Sequence, residues 1–272
     1  MEPFTMGPAI LFCPADRPDR YAKALERADA VIIDLEDAVA SDAKPAARRA
    51  LLTHRLDPAR TIVRVNPVGT EDFVADMTAI EQTTYRTIML AKTETLDDLA
   101  AVAGYNVVAL CETALGVLNA PQIAAAPNVV ALMWGAEDLI ASLGGTSSRR
   151  ESGTYREVAM HARSHVLLAA GAYRKVAIDS VYIDIPDHPG LLGESIDAAA
   201  SGFGAKASIH PGQMPFIRQA FSPSAEQIER ATRILAAAQT NAGVFTFEGQ
   251  MVDEPLLRHA RSIIARSMQG DF

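Results

Sequence analysis

Short apolar runs rich in Val, Ile and Ala recur along the chain, and most end abruptly on a charged or hydrogen-bonding residue. Residues 30–33 lead into Asp34-Leu35-Glu36-Asp37, residues 107–111 into Glu112, and residues 129–134 into Gly135-Ala136-Glu137-Asp138. Runs of this kind read as strands buried on both faces, and the longer amphipathic stretches between them read as helices. The pattern predicts eight strands, near residues 9–12, 30–33, 61–65, 87–91, 107–111, 129–134, 175–178 and 206–209, with a helix in every gap. Such alternation is the signature of βα units and a parallel sheet. Eight strands suit a TIM (β/α)8 barrel; a doubly wound sheet more often shows fewer strands and a glycine-rich phosphate turn. Neither G-x-G-x-x-G nor G-x-x-x-x-G-K-[ST] occurs in the sequence. In a barrel, chemistry gathers where strands hand over to the following loops, so polar residues that end the runs predict an active-site rim.

Beyond the eighth strand the pattern changes. Ser224 followed by Gln227 forms a capping box that opens a helix to about residue 239. Residues 244–247, a Glu248-Gly249 turn and residues 250–252 predict a small hairpin, and a last helix begins near Pro255. The expected organisation is a catalytic barrel over residues 1–220 and a C-terminal helix-hairpin-helix appendage over 221–272 that packs on a neighbouring subunit. The loop over residues 144–150, rich in Gly and Ser, reads as mobile.

Composition narrows the function classes. A formal charge of -8 without a basic stripe argues against a nucleic-acid partner, and an anionic substrate then needs a local cation, from Arg or a metal. The two cysteines, Cys13 and Cys111, sit inside apolar runs, which favours buried reduced thiols and a cytoplasmic setting. No basic-then-apolar leader or membrane-length apolar run is present, so no membrane partner is expected. The absence of H-E-x-x-H, C-x-x-C and G-x-S-x-G weakens zinc-hydrolase, redox and serine-hydrolase readings.

Glu112 and Asp138 end neighbouring strands, so their carboxylates can share one oxygen-ligated divalent ion such as Mg²⁺. Each is equally suited to capping the next helix or pairing with an arginine. Arg64 interrupts a β pattern, and its fork matches a substrate carboxylate; a salt bridge to Asp34, Glu36 or Asp37 is the competing reading, and the two are compatible. Those three acids concentrate negative charge at one rim position and read as supporting groups or as an acidic helix start. Asp253, before Glu254-Pro255, reads locally as the N-cap of the final helix. His210, before Pro211, reads equally as a substrate ligand or a turn histidine.

An ordered set of motifs then carries a resemblance. It comprises Leu11-Phe12-Cys13-Pro14-Ala15-Asp16-Arg17-Pro18, Ile33-Asp34-Leu35-Glu36-Asp37-Ala38-Val39, Lys44-Pro45-Ala46-Ala47-Arg48, Arg64-Val65-Asn66 and Glu112-Thr113. It continues through Gly135-Ala136-Glu137-Asp138-Leu139, Ile209-His210-Pro211 and Gly249-Gln250-Met251-Val252-Asp253. From first strand to tail, the chain resembles the citrate lyase β-subunit family of the HpcH/HpaI aldolase superfamily, particularly its stand-alone members. Two positions depart from the family pattern: Ala91-Lys92-Thr93-Glu94 stands for Pro-Lys-x-Glu, and Pro14-Ala15 for Pro-Gly.

The resemblance implies a TIM barrel with Mg²⁺ held by Glu112 and Asp138, and Arg64 gripping the carboxylate of a 2-oxo acid. It implies Asp253 as acid/base, arriving from a neighbouring subunit of a homotrimer. Glu36 and Asp37 would support the metal waters or Arg64, and Arg17 would meet CoA phosphates. The implied reaction is carbon–carbon lysis or condensation of a 3-hydroxyacyl-CoA thioester, giving acetyl-CoA plus oxaloacetate, pyruvate or glyoxylate. An aldolase acting on free hydroxy acids, and a non-catalytic oxo-acid/CoA-binding subunit, are the alternative readings. Selection among citryl, malyl and citramalyl thioesters rests on pocket shape, which local sequence does not give.

Overall fold

The structure, a computed structural model, describes residues 4–241 and 243–269. Eight strands form the barrel: β1 Ala9–Pro14, β2 Ala30–Asp34, β3 Thr61–Val65, β4 Thr87–Leu90, β5 Asn106–Cys111, β6 Val129–Trp134, β7 Val176–Asp179 and β8 Ala205–Ser208. Each pairs in parallel with the next, and β1 returns to β8 from Ala9↔Lys206 to Leu11↔Ser208, so the sheet closes in sequence order. All eight expected strands are present, with ends within two residues of the expectation.

Side chains on a strand alternate between its faces, and this parity builds the rim. Ile10, Ile32, Ile62, Leu110 and Ile178 belong to one buried cluster inside the barrel. Two residues further along the same strand or its exit, the same face presents Phe12, Asp34, Arg64, Glu112 and Ser180. The opposite parity is apolar too: Val31, Ile33, Val63 and Leu132 are fully buried, as expected of a wall covered on both faces.

Outside the wall, the parity that puts Ala205 and Ala207 in the central cluster turns Lys206 the other way. Its fully buried ammonium donates to Asp179 Oδ2 (2.8 Å), the Ser180 carbonyl (2.7 Å) and Glu194 Oε1 (3.0 Å). Asp179 Oδ1 also accepts from Trp134 Nε1 (2.8 Å) and Arg163 Nε (3.0 Å). Burial alone would raise the Asp179 pKa, but Lys206 and Arg163 outweigh it and hold this carboxyl below its ordinary range. The network ties β6, β7 and β8 to the helices Glu157–Ala172 and His188–Ser201.

The loop expected to be mobile is fastened. Ser148 Oγ donates to Glu137 Oε1 (2.5 Å), Arg149 pairs with Glu194 (2.8 Å), and the Arg149 guanidinium lies 3.7 Å from the Tyr155 ring centre. Cys13 and Cys111 are free and buried; burial pushes their thiols up to about 11 and about 12. Among the described residues no helix is long and apolar enough to cross a membrane.

The chain divides into two compact units between Ile217 and Arg218. In the second, the Ser224–Gln227 capping box opens the helix Ala225–Ala238, as expected from the sequence. Strands β9 (Phe245–Phe247) and β10 (Gln250–Val252) form an antiparallel hairpin, followed by the helix Glu254–Gln269. A small core of Ala231, Ile234, Val252, Leu257 and Ala260 holds this unit together.

Candidate active site

The β2–β3 register sets Asp34 beside Arg64, and the pair forms a two-point salt bridge with Nε–Oδ1 at 2.7 Å and NH2–Oδ2 at 2.6 Å. Asp34 also accepts the backbone N–H groups of Glu36 (2.9 Å) and Ala38 (3.2 Å), which shapes the loop carrying Glu36 and Asp37. Arg64 NH1 lies 3.0 Å from Glu36 Oε2, and its guanidinium carbon is 5.0 Å from the Phe12 ring centre. Burial works against the Arg64 charge, but Asp34, Glu36 and Glu112 more than offset it and hold its pKa above the ordinary value.

A second tier braces this loop. Asn66 Nδ2 donates to the Leu35 carbonyl (3.0 Å) and to the fully buried Asp76 (2.6 Å), and Asp76 accepts from Arg48 Nε (2.7 Å). Lys44 Nζ reaches Asn66 Oδ1 at 2.5 Å. The Lys44-Pro45-Ala46-Ala47-Arg48 motif therefore acts as a buttress behind the rim.

Glu112, at the exit of β5, is 2 % exposed. Its Oε1 accepts the Lys92 backbone N–H (3.1 Å), while Oε2 lies over Gly135 so closely that a Cβ there would come within 2.9 Å of it. Thr113, not Glu112, caps the following helix Ala114–Leu118. Burial first, and then the nearby Asp138 carboxylate, push the Glu112 pKa up to about 8 despite Arg64 and Lys92. Asp138 sits in the first turn of the helix Ala136–Ser142, whose cap position is Gly135, so neither acid is spent as a cap.

Lys92 stands amid these acids. Its ammonium hydrogen-bonds Glu36, lies 3.2 Å from Asp37 Oδ2, and comes within 3.9 Å of Glu112 Oε1 and 3.7 Å of Asp138 Oδ1. Its backbone has φ of 50°, the left-handed region uncommon for a side chain with a Cβ, and this turns its N–H toward Glu112. A cavity of about 230 Å³ opens at the strand ends, lined among others by Phe12, Arg64, Glu112, Asp138, Ser180 and Ile209.

Of the expected site residues, the structure brings together Arg64, Glu36, Asp37, Glu112 and Asp138. Arg17 lies in the loop after β1, paired with Asp19 at 3.1 Å through both Nε and NH2, and is not among the cavity-lining residues. His210 Nδ1 accepts the Gly212 N–H (3.1 Å), a turn role. Asp253 caps the helix Glu254–Gln269 through the Leu256 N–H (3.2 Å) and belongs to the second unit. Sequence reasoning gave Lys92 no role, although it follows a strand end as the other rim residues do.

The donor set suits a hard cation. It offers two crowded carboxylates, one buried and neither consumed by a helix cap. Among the described residues no group of three or more His, Cys, Asp or Glu is arranged to hold a metal. Mg²⁺ commonly takes only one or two carboxylates and completes its octahedron with water and substrate oxygens.

Fold and rim define a (β/α)8 barrel with an acid-lined site and one buried arginine at the strand ends. The family model described as HpcH/HpaI aldolase/citrate lyase matches residues 9–211, and the chain belongs to that family. It is 53 % identical to the citrate lyase subunit beta-like protein of Mycobacterium tuberculosis over 261 residues, 96 % of each chain. Mitochondrial citramalyl-CoA lyase of Homo sapiens is 32 % identical over 290 residues, 94 % of this chain and 84 % of that one. Among solved structures, CitE from Mycobacterium tuberculosis in complex with magnesium, acetoacetate and coenzyme A superposes with a TM-score of 0.94 at 52 % identity, covering 97 % of this chain and 99 % of that one.

Proposed function

We propose that this protein is a Mg²⁺-dependent carbon–carbon lyase that cleaves, or forms, a 3-hydroxyacyl-CoA thioester, with acetyl-CoA and a 2-oxo acid on the other side of the reaction. The observation that carries the reading is the convergence of Glu112, Asp138 and Arg64 on one cavity at the strand ends. The relatives support it: one is a citramalyl-CoA lyase, and a solved neighbour binds magnesium, an oxo acid and coenzyme A.

Glu112 and Asp138 would hold Mg²⁺, which when bound supplies Lewis acidity toward a ketone or hydroxyl oxygen. Arg64 orients the oxo-acid half. Asp34 and Glu36 engage Nε and one position on each terminal nitrogen, leaving an N–H on both tips of the fork for a carboxylate. Fixed in this way, the fork loses little freedom on binding. Phe12, Val181 and Ile209 supply apolar wall that limits water at the reacting carbon.

Asp253 takes the hydroxyl proton in lysis, or a methyl proton of acetyl-CoA in condensation. It acts from a neighbouring subunit of a homotrimer, with residues 221–272 as the extension that packs there. Arg17 meets the CoA phosphates once released from Asp19. The buried free thiols support a cytoplasmic setting.

The test is turnover of purified protein with Mg²⁺ and citryl-, malyl- and citramalyl-CoA, following acetyl-CoA release, with EDTA and Asp253→Ala controls. Metal-dependent cleavage of one thioester is expected, falling at least about 100-fold in Glu112→Gln and Asp138→Asn. Equal activity on the free hydroxy acid would favour the aldolase reading. No cleavage of any thioester, with tight oxo-acid binding retained, would favour a binding subunit.

A further inference from the structure

At the rim, the carboxylates of Asp34, Glu36, Asp37, Glu112 and Asp138 pair with or approach two cations, Arg64 and Lys92. The two cations are used differently. Arg64 is locked to Asp34 and Glu36 on the β2–β3 side of the cavity. Lys92 extends from the β4 exit to the acids of both sides, bonding Glu36 and Asp37 while lying within 4 Å of Glu112 and Asp138. Its side chain is 31 % exposed, so it is not sealed beneath the rim, and it touches acids that line the cavity, Asp37, Glu112 and Asp138. Its attachment is double: the backbone N–H fixes Glu112 Oε1, and the ammonium offsets charge around the pair. A substitution that keeps the backbone N–H therefore removes the ammonium, with its charge and its bonds to Glu36 and Asp37, and spares the backbone contact to Glu112.

We propose that Lys92 is a resident counter-cation that shares the field of Glu112 and Asp138 with the bound divalent ion, lowering affinity for Mg²⁺ while raising affinity for the anionic substrate. This rests on the reading of Glu112 and Asp138 as the Mg²⁺ site. One positive charge a few ångströms from two metal-binding carboxylates repels a second cation and attracts an anion, and partial burial leaves that field poorly screened. With Lys92 present, the rim carboxylates face two cationic side chains; without it they face one, and an oxo-acid carboxylate must enter a more negative rim.

The two effects have opposite signs, which separates this role from structural support. Calorimetric titration of Lys92→Met with MgCl₂ alone should show Mg²⁺ binding tightened by about tenfold. Titration of the same variant with oxaloacetate at saturating Mg²⁺ should show binding weakened by about tenfold or more. Lys92→Arg, which keeps the charge, should hold both constants within about threefold of wild type. Asp138→Asn, losing Mg²⁺ binding, checks the cation site itself. Unchanged or weaker Mg²⁺ binding in Lys92→Met, with Asp138→Asn still losing the metal, overturns the role of Lys92 and leaves the site intact. Equal Mg²⁺ binding by wild type and Asp138→Asn overturns both. Should Lys92→Met not fold, as a melting curve would reveal, Lys92→Gln makes the same neutralisation with a polar tip and is judged by the same two constants.

Discussion

A methyl group at position 135 would lie 2.7 Å from the Cβ of Glu112 and 2.9 Å from its Oε2. Gly135→Ala should therefore push Glu112 aside without adding any charge. We expect a stability cost of about 1–3 kcal/mol from overpacking, together with loss of Mg²⁺ binding far larger than that cost implies; melting temperature and metal titration together check it. Wild-type metal affinity in this variant would show that Glu112 is not held by its fit over the glycine. At this scale the sequence was legible wherever a polar residue ended an apolar run, which exposed Asp34, Glu36, Asp37, Glu112 and Asp138, and where a single cation, Arg64, interrupted one. The same rule covers Lys92, but an ammonium on a long stem has many possible targets. Its approach to four acids depends on a left-handed backbone that Ala91-Lys92-Thr93 does not announce. Phe12 was obscure for another reason: an aromatic in an apolar run reads as core until parity places it over Arg64.

Strands β7 and β8 are tied by a buried charge network as well as by apolar packing. Removing one partner strands the others, so Lys206→Met should cost about 3–5 kcal/mol, measured by denaturant unfolding; a cost below about 1 kcal/mol would mean that the network relaxes freely. The linkage has a definite sign. Asp179 has a folded pKa below its ordinary value, so its contribution is complete above about pH 4 and is lost as pH falls through the folded value. Wild-type stability should decline in that acid window, and Asp179→Asn, already destabilised, should decline less steeply there. The elements themselves were legible because a barrel wall buried on both faces leaves uninterrupted apolar runs. The network was not: Lys206 and Asp179 sit at the ends of short runs and resemble solvent-facing terminators, and only inward-outward parity turns them under the helices.

The whole molecule poses the question of how its second unit serves the first. Asp253 has the local signature of a helix cap and makes that cap; its proposed proton transfer depends on a neighbouring chain, a relation that no local pattern contains. Mixing subunits tests it. Arg64→Lys and Asp253→Asn should each be inactive alone, yet randomly reassembled equal mixtures should regain roughly a quarter of wild-type turnover if each site joins a barrel to the next subunit's Asp253. No recovery, with mixed oligomers demonstrated by mass, would return Asp253 to its own chain.

Closure of the barrel through β1 and β8 also bears on how the chain is made. A ribosome has released residue 9 long before it reaches residue 205, so the first strand must wait for its second neighbour until about three quarters of the chain exists. During that interval the nascent protein carries two open strand edges, at β1 and at whichever strand has emerged last, both apolar and unpaired. Synthesis stalled before Ala205 should leave an insoluble, chaperone-bound product, whereas chains released after Ser208 can seal that seam.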